Sequence, residues 1–214
     1  MADQGARVRR KTIERTLSQV PDHPSPDPKY EQIKTPAPIA TDVVFEAFHL
    51  GDIGGKIVLD FGCGTGILAI GAGLLGAMPV HGFDIDEEAI ELAREAARKA
   101  GVSQAEFEVL DVSEMGEYEA DTILSNPPFG AQKKHADRPF LEAANAAGQV
   151  AYTFHMAPTI PWVTERIGEM GGQVTHQFPF HFPLKAQFFF HEKPSQDINV
   201  VVLRWTTAQH ASNR

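Results

Sequence analysis

Asp60-Phe61-Gly62-Cys63-Gly64-Thr65-Gly66 is the stretch on which the fold turns. It closes a short apolar run, Lys56-Ile57-Val58-Leu59-Asp60, that reads as a buried strand. It then opens Ile67 to Leu75, small and apolar, which fits a helix packed hard against a sheet. Glycine at alternate positions lets the backbone turn sharply and approach a ligand where a Cβ would collide. A dinucleotide fingerprint needs a glycine three residues after the second one, and Ile67 stands there instead.

The same alternation continues downstream. Val80 to Asp84 is a second strand, and Asp86 caps a helix from Glu87 to Ala100 that carries acidic residues early, Arg98 and Lys99 late, and Gly101 as its stop. Phe107 to Leu110 and Thr122 to Ser125 are further strands. Arg138 to Ala147 reads as a helix, Gln149 to His155 as a strand, and Trp162 to Met170 as a helix ended by Gly171-Gly172. The repeated order predicts an α/β fold with a mostly parallel sheet of seven strands and helices on both faces. The closing region changes character: Val174 to Phe180, Ala186 to His191 and Asp197 to Trp205 are strand-like, with Lys193 to Gln196 as a loop. This argues an antiparallel hairpin at one edge.

Upstream, residues 7–20 have the spacing of a short helix, and Pro21-Asp22-His23-Pro24-Ser25-Pro26-Asp27-Pro28 must be extended, because each proline removes a donor and restricts its predecessor. Thr41 to Leu50 reads as a helix. The expected organisation is a basic N-terminal helix with a proline-rich linker over 1–29, one catalytic domain over 30–207, and a tail over 208–214.

The 214 residues suit one domain with a substantial core, and 43 % of them are hydrophobic. There is no long apolar run and no apolar leader after Met1, and Cys63 is the single cysteine, so the expectation is a cytoplasmic protein without disulfides or a metal. The net charge of −9 argues against a non-specific nucleic-acid binder. Residues 1–20, however, balance at +3 and could contact RNA.

The GxGxG pattern fits S-adenosylmethionine (SAM), a cation for which Asp60 beside the loop is tolerable. Asp84, at the end of the second strand, can accept from both ribose hydroxyls, with Ile85 next to it. Asp111 and Val112 suit the adenine, one accepting from its amine and the other walling its ring. Any one carboxylate could be an ordinary strand-end residue, but three at successive strand ends point to a cofactor, held with Gly62, Cys63, Gly64 and Gly66, and with Asn126 at its edge.

Asn126-Pro127-Pro128-Phe129 then specifies chemistry. The prolines fix an extended turn after the fourth strand, so that the Asn126 side-chain oxygen and the Pro127 carbonyl act together. A conjugated amine such as adenine N6 has two hydrogens, and two fixed acceptors hold both and favour the pyramidal geometry that attack requires. Phe129 can stack on the base.

These segments, with Tyr30-Glu31-Gln32-Ile33-Lys34-Thr35-Pro36, Ala151-Tyr152-Thr153-Phe154-His155 and Phe190-His191-Glu192-Lys193, resemble the methyltransferase-like protein 5 family of small-subunit rRNA N6-adenosine methyltransferases, in an archaeal form. The likeness runs from Lys11 to about Trp205, and departs from the family at Pro38, where a His is usual. It implies a Rossmann-like SAM-dependent fold and methyl transfer to adenine N6 in structured rRNA. It also implies that Gln32 and Thr35 fold over the methionine end of SAM, and that the chain pairs with a small zinc-binding activator protein. Lys133, Lys134, Arg138, Lys185 and His191 are the expected RNA contacts. Two other readings stay open: a glutamine methyltransferase of the release-factor type, which typically has Tyr where Phe129 stands, and a non-catalytic RNA-binding assembly protein.

Overall fold

The computed structural model describes residues 10–27, 30–129, 136–185 and 195–209, the side chains of 184–185 and 195–197 excepted. Seven strands form one sheet: β1 (Val58–Phe61), β2 (Val80–Asp84), β3 (Ala105–Val109), β4 (Ala120–Ser125), β5 (Gly148–Met156), β6 (Gln173–Lys185) and β7 (Ser195–Thr206). Their spatial order is β3-β2-β1-β4-β5-β7-β6. The first five run parallel, β7 returns antiparallel to β5, and β6 pairs antiparallel with β7 at the edge. This is the sheet anticipated from the alternating pattern.

Among the described residues, six α-helices cover it: α1 (Arg10–Leu17), α2 (Ala37–His49), α3 (Ile67–Leu74), α4 (Glu87–Ala100), α5 (Arg138–Ala147) and α6 (Ile160–Glu169). Two apolar clusters lie on opposite sides of the sheet. One gathers α1 to α4 through residues such as Leu17, Val44, Ile70 and Ile90, and the other gathers α5 and α6 through Leu141, Val163 and Ile167. Among the described residues, no helix is long and apolar enough to cross a membrane.

Several boundaries differ from expectation for local reasons. Helix α2 begins at Ala37, four residues before the expected start, since Pro36 at its N-cap and Pro38 in its first turn need no backbone donor there. Pro161 does the same for α6. Strand β6 continues through Pro179 and Pro183, which an edge strand tolerates because its outer donors are not needed for pairing. Ser195 and Gln196, expected in a loop, open β7. The expected strand over 186–191 lies outside the described residues, as do residues 7–9 of the first helix.

The segment before α2 is also structured against the body. Ile13 and Leu17 of α1 and the following Val20 are buried in the same core as α2 and α3. Beyond them the proline-rich chain is tied down by polar contacts: Thr65 Oγ1 donates to the Pro21 carbonyl at 2.8 Å, and Lys34 pairs with Asp22 at 3.0 Å.

The topology also sets where a ligand can lie. Strand order reverses between β1 and β4, so the chain leaves their carboxyl ends in opposite directions and a crevice opens there. Phe61 lies opposite Ser125, whose hydroxyl donates to the Phe61 carbonyl at 2.9 Å. The glycine loop and the Asn126 turn therefore leave adjacent strands side by side.

Candidate active site

The glycine loop owes its shape to three residues in the left-handed region, with φ of 67° at Gly62, 52° at Gly64 and 86° at Gly66. Gly62 and Cys63 donate their amides to the Phe83 carbonyl, and Gly66 begins α3. At Gly66 a Cβ would also meet Phe107 and Ala93 at about 3 Å. Cys63 is buried in this loop, and burial pushes its thiol well above its ordinary value, which makes it a packed spacer, not a nucleophile.

Above the crevice lies a cavity of ≈ 1120 Å³, large enough for a nucleoside-sized cofactor with space beside it. Its walls are the segment 30–35, the glycine loop, Asp84 and Ile85, residues 110–113, Asn126 and Pro128, and the start of α5. Asp60, Gly62, Cys63, Gly64, Asp84, Ile85, Asp111, Val112, Gln32 and Thr35 thus share one cavity. Gly66 is the foot of α3 beneath it.

The carboxylates differ in what they have left to offer. Asp84 accepts the Gly64 amide at 2.7 Å and the Asp86 amide at 3.0 Å; burial pushes its carboxyl up, against the pull of those amides. Asp111 follows the end of β3 and caps a short 3₁₀ turn through Ser113. Asp86 caps α4, accepting from Ala89 at 3.1 Å. Burial works to raise its carboxyl, yet hydrogen bonds from Gln32 and Ala89, with His23 alongside, hold it below the usual range. Gln32 bridges two elements, accepting from the Asp27 amide at 2.7 Å and donating to Asp86 at 2.6 Å.

Asp60 stands apart. It is 1 % exposed; Oδ2 accepts the Ala69 amide at 3.0 Å, and Oδ1 is buried with no hydrogen-bond partner among the described residues. Burial, against the Ala69 hydrogen bond and with Asp84 nearby, pushes its carboxyl up to about 7. A buried acceptor in that condition is suited to a cationic ligand group.

Asn126 is arranged in a matching way. Its Nδ2 donates to Thr35 Oγ1 at 3.0 Å and to the Ile33 carbonyl at 3.4 Å. A carbonyl can only accept, so this end of the amide is nitrogen and the other is oxygen. That Oδ1 is buried and has no partner among the described residues. Pro127 is buried, Pro128 lines the cavity, and Phe129 is half-buried with its ring edge-on to Phe182 of β6, centroids 6.0 Å apart. Phe129 therefore adjoins the cavity without lining it.

Arg138 lines the cavity at the start of α5 and is held by Glu142 at 2.9 Å. Lys133, Lys134 and His191 lie outside the described residues, and Lys185 ends β6. Sequence reasoning missed Phe140, whose ring covers Gly62 so closely that a Cβ there would lie 3.0 Å away. It also missed His23, whose ring nitrogen lies 3.3 Å from Asp86. Neither carries a local signal, because each acts across the fold. Among the described residues, no cluster of His, Cys, Asp or Glu is suited to a metal.

Residues 40–127 match the family described as ribosomal protein L11 methyltransferase (PrmA). An uncharacterized protein of Methanocaldococcus jannaschii is 38 % identical over 92 % of this chain and 94 % of its own. The rRNA N(6)-adenosine-methyltransferase METTL5 of Danio rerio is 32 % identical over 92 % of this chain and 98 % of its own. Among solved structures, a proposed RNA methyltransferase from Pyrococcus horikoshii superposes with a TM-score of 0.86 at 36 % identity, covering 93 % of this chain and 98 % of that one. A Synechocystis magnesium protoporphyrin IX methyltransferase solved with SAM bound shares the fold alone, at 19 % identity and a TM-score of 0.63.

Asp60 gives a first expectation. Between about pH 4 and about 7 the folded, unliganded protein keeps a proton that the unfolded chain has lost, so stability falls as pH rises through that window. Urea denaturation at pH 5 and pH 7.5 should show this fall, and Asp60→Asn should flatten it; an unchanged slope in the variant would count against the assignment.

Proposed function

The chain belongs to the METTL5 family of rRNA N(6)-adenosine-methyltransferases, and from that premise we propose that it methylates the N6 amine of an adenine in structured small-subunit rRNA. The observation that carries the proposal is the Asn126 amide, tied at its nitrogen and open at its oxygen.

The cavity fits the cofactor. The unpartnered Asp60 oxygen matches the cationic end of SAM, Asp84 the ribose, and Asp111 with Val112 the adenine; Gln32 and Thr35 close over the methionine end. SAM supplies an electrophilic methyl group bound to a sulfonium. Everything else falls to the chain's own residues. Asn126 Oδ1 and the Pro127 carbonyl accept the two amine hydrogens, drawing the nitrogen out of conjugation with the ring. A neutral amide oxygen is a weak base, so the proton leaves to solvent after transfer, and the site needs no strong general base. Phe129, steadied on edge by Phe182, offers a face to the base once it leaves its stack.

The same Phe182 belongs to a hairpin that continues past the end of β5, since Met156 is opposite Val200 while β6 runs on to Lys185. Through Phe182 against Phe129 this extension stands beside the Asn126 turn and, with Arg138, forms the side that RNA approaches. The net charge of −9 makes RNA affinity depend on such local cations.

Labelled-methyl transfer from SAM tests the substrate class. Label is expected in small-subunit rRNA and absent from release factor. Label on the protein with none on RNA would replace this reading with glutamine methylation, and label on neither would favour an assembly protein.

A partner is proposed at the β3 edge. Val109 of this edge strand and Ile85 beside it, which also lines the cavity, are exposed at 44 % and 43 %, and such apolar residues at a sheet edge suit an added strand from the small zinc-binding activator protein. Arg94 already donates to the Phe107 carbonyl at 2.7 Å and would have to yield. Co-expression followed by gel filtration is expected to give a one-to-one complex; a monomer with full activity would remove the partner.

A further inference from the structure

Asp137 stands at the N-terminal boundary of α5, where an aspartate ordinarily accepts from amides of the first helical turn. Here the side chain makes no capping hydrogen bond. Its Oδ2 lies instead 3.1 Å from Nδ1 of His155, near the end of β5. The His155 side chain is 1 % exposed and that of Asp137 14 %.

The other face of the imidazole is equally committed. Nε2 lies 2.8 Å from Thr153 Oγ1, which receives the Trp205 indole N–H at 3.1 Å. The Asp137 carboxylate only accepts, so in the neutral imidazole the proton sits on Nδ1 facing it, and Nε2 accepts from the Thr153 hydroxyl, which accepts in turn from the indole. Four side chains form one directed chain, from Trp205 through Thr153 and His155 to Asp137. It runs from the β5–β7 pairing to the foot of α5.

What this chain holds is a wall of the cavity. Ala136, Arg138, Pro139 and Phe140, the residues flanking Asp137, all line it, and Phe140 faces Gly62. No residue of β5 lines the cavity. Among the described residues, His155 thus reaches the site through Asp137. An aspartate that gives up a helix cap for a buried histidine trades local helix stability for a fixed position of this wall.

We propose that His155 is a positioning residue: through Asp137 it sets the Ala136–Phe140 wall against the glycine loop and so governs how tightly the cavity holds SAM. The proposal rests on the function inferred above, and SAM binding by the parent protein is therefore its control.

The test is calorimetric SAM affinity, with circular dichroism and melting curves, for the parent, His155→Asn, His155→Gln and Asp137→Ala. Asparagine places its amide nitrogen near the Nδ1 position and keeps the donor to Asp137; glutamine reaches the Nε2 position and does not. At temperatures where each variant is folded, His155→Gln and Asp137→Ala are expected to weaken SAM binding fivefold or more, while His155→Asn stays within fivefold of the parent. A merely structural histidine would shift the melting temperatures and leave the affinities in place. Asp137→Ala with less than a fivefold loss overturns the proposal, as does a His155→Asn variant that loses as much as His155→Gln. Should His155→Gln fail to fold, Asp137→Ala alone decides. A parent that does not bind SAM overturns the proposed function, and this inference with it.

Discussion

The site depends on one adjacency: β1 and β4 lie side by side where the order of the sheet reverses. Their carboxyl ends face the same crevice but continue into different segments, one into the glycine loop and one into the Asn126 turn. The Ser125 hydroxyl on the Phe61 carbonyl fastens the two ends together. Because helices cover both faces, the crevice at the strand ends is where the backbone can meet a ligand. Every other feature of the site refines this placement. Segment 30–35 closes it from above, Asp84 and Asp111 extend it along β2 and β3, and the start of α5 walls it opposite.

Within that crevice two oxygens, those to which the proposed chemistry is assigned, have no hydrogen-bond partner among the described residues. Burying an acceptor without a partner costs free energy, roughly 1–3 kcal/mol for a neutral group and more for a charged one. Asp60 Oδ1 and Asn126 Oδ1 are both in that state. Their companion atoms are satisfied, by Ala69 on one side and by Thr35 with Ile33 on the other, so neither group can turn to relieve itself. Such fixed acceptors lose little on receiving a ligand, which is the advantage of preorganisation.

Much of this was readable in the chain itself, and the parts that were not share a cause. The glycine loop, Asp84, the Asp86 cap and the limits of α4 and α5 follow from residues close in sequence, so local spacing exposes them. The proline-rich segment and the residues that follow it give no local sign of their packing because their ties run to residues far away: Thr65 to Pro21, Gln32 to Asp86, Asn126 to Thr35 across 91 positions. Prolines in β6 disguised a long strand, since a sheet edge forgives what an interior strand would not. Phe129 shows the opposite case. Its motif points to stacking on a base, and the structure adds the Phe182 edge beneath it, a contact no local pattern announces.

On the proposed function, the Asn126 oxygen holds the amine that receives the methyl group. The most direct test of this role is the single-turnover formation of N6-methyladenosine in small-subunit rRNA by Asn126→Ala, read by mass spectrometry of the digested RNA with SAM saturating. Loss of a preorganised acceptor of this kind lowers such a rate by about 100-fold or more, and that loss is expected here even with every site filled by SAM. A variant that forms N6-methyladenosine at the parent's rate would contradict it.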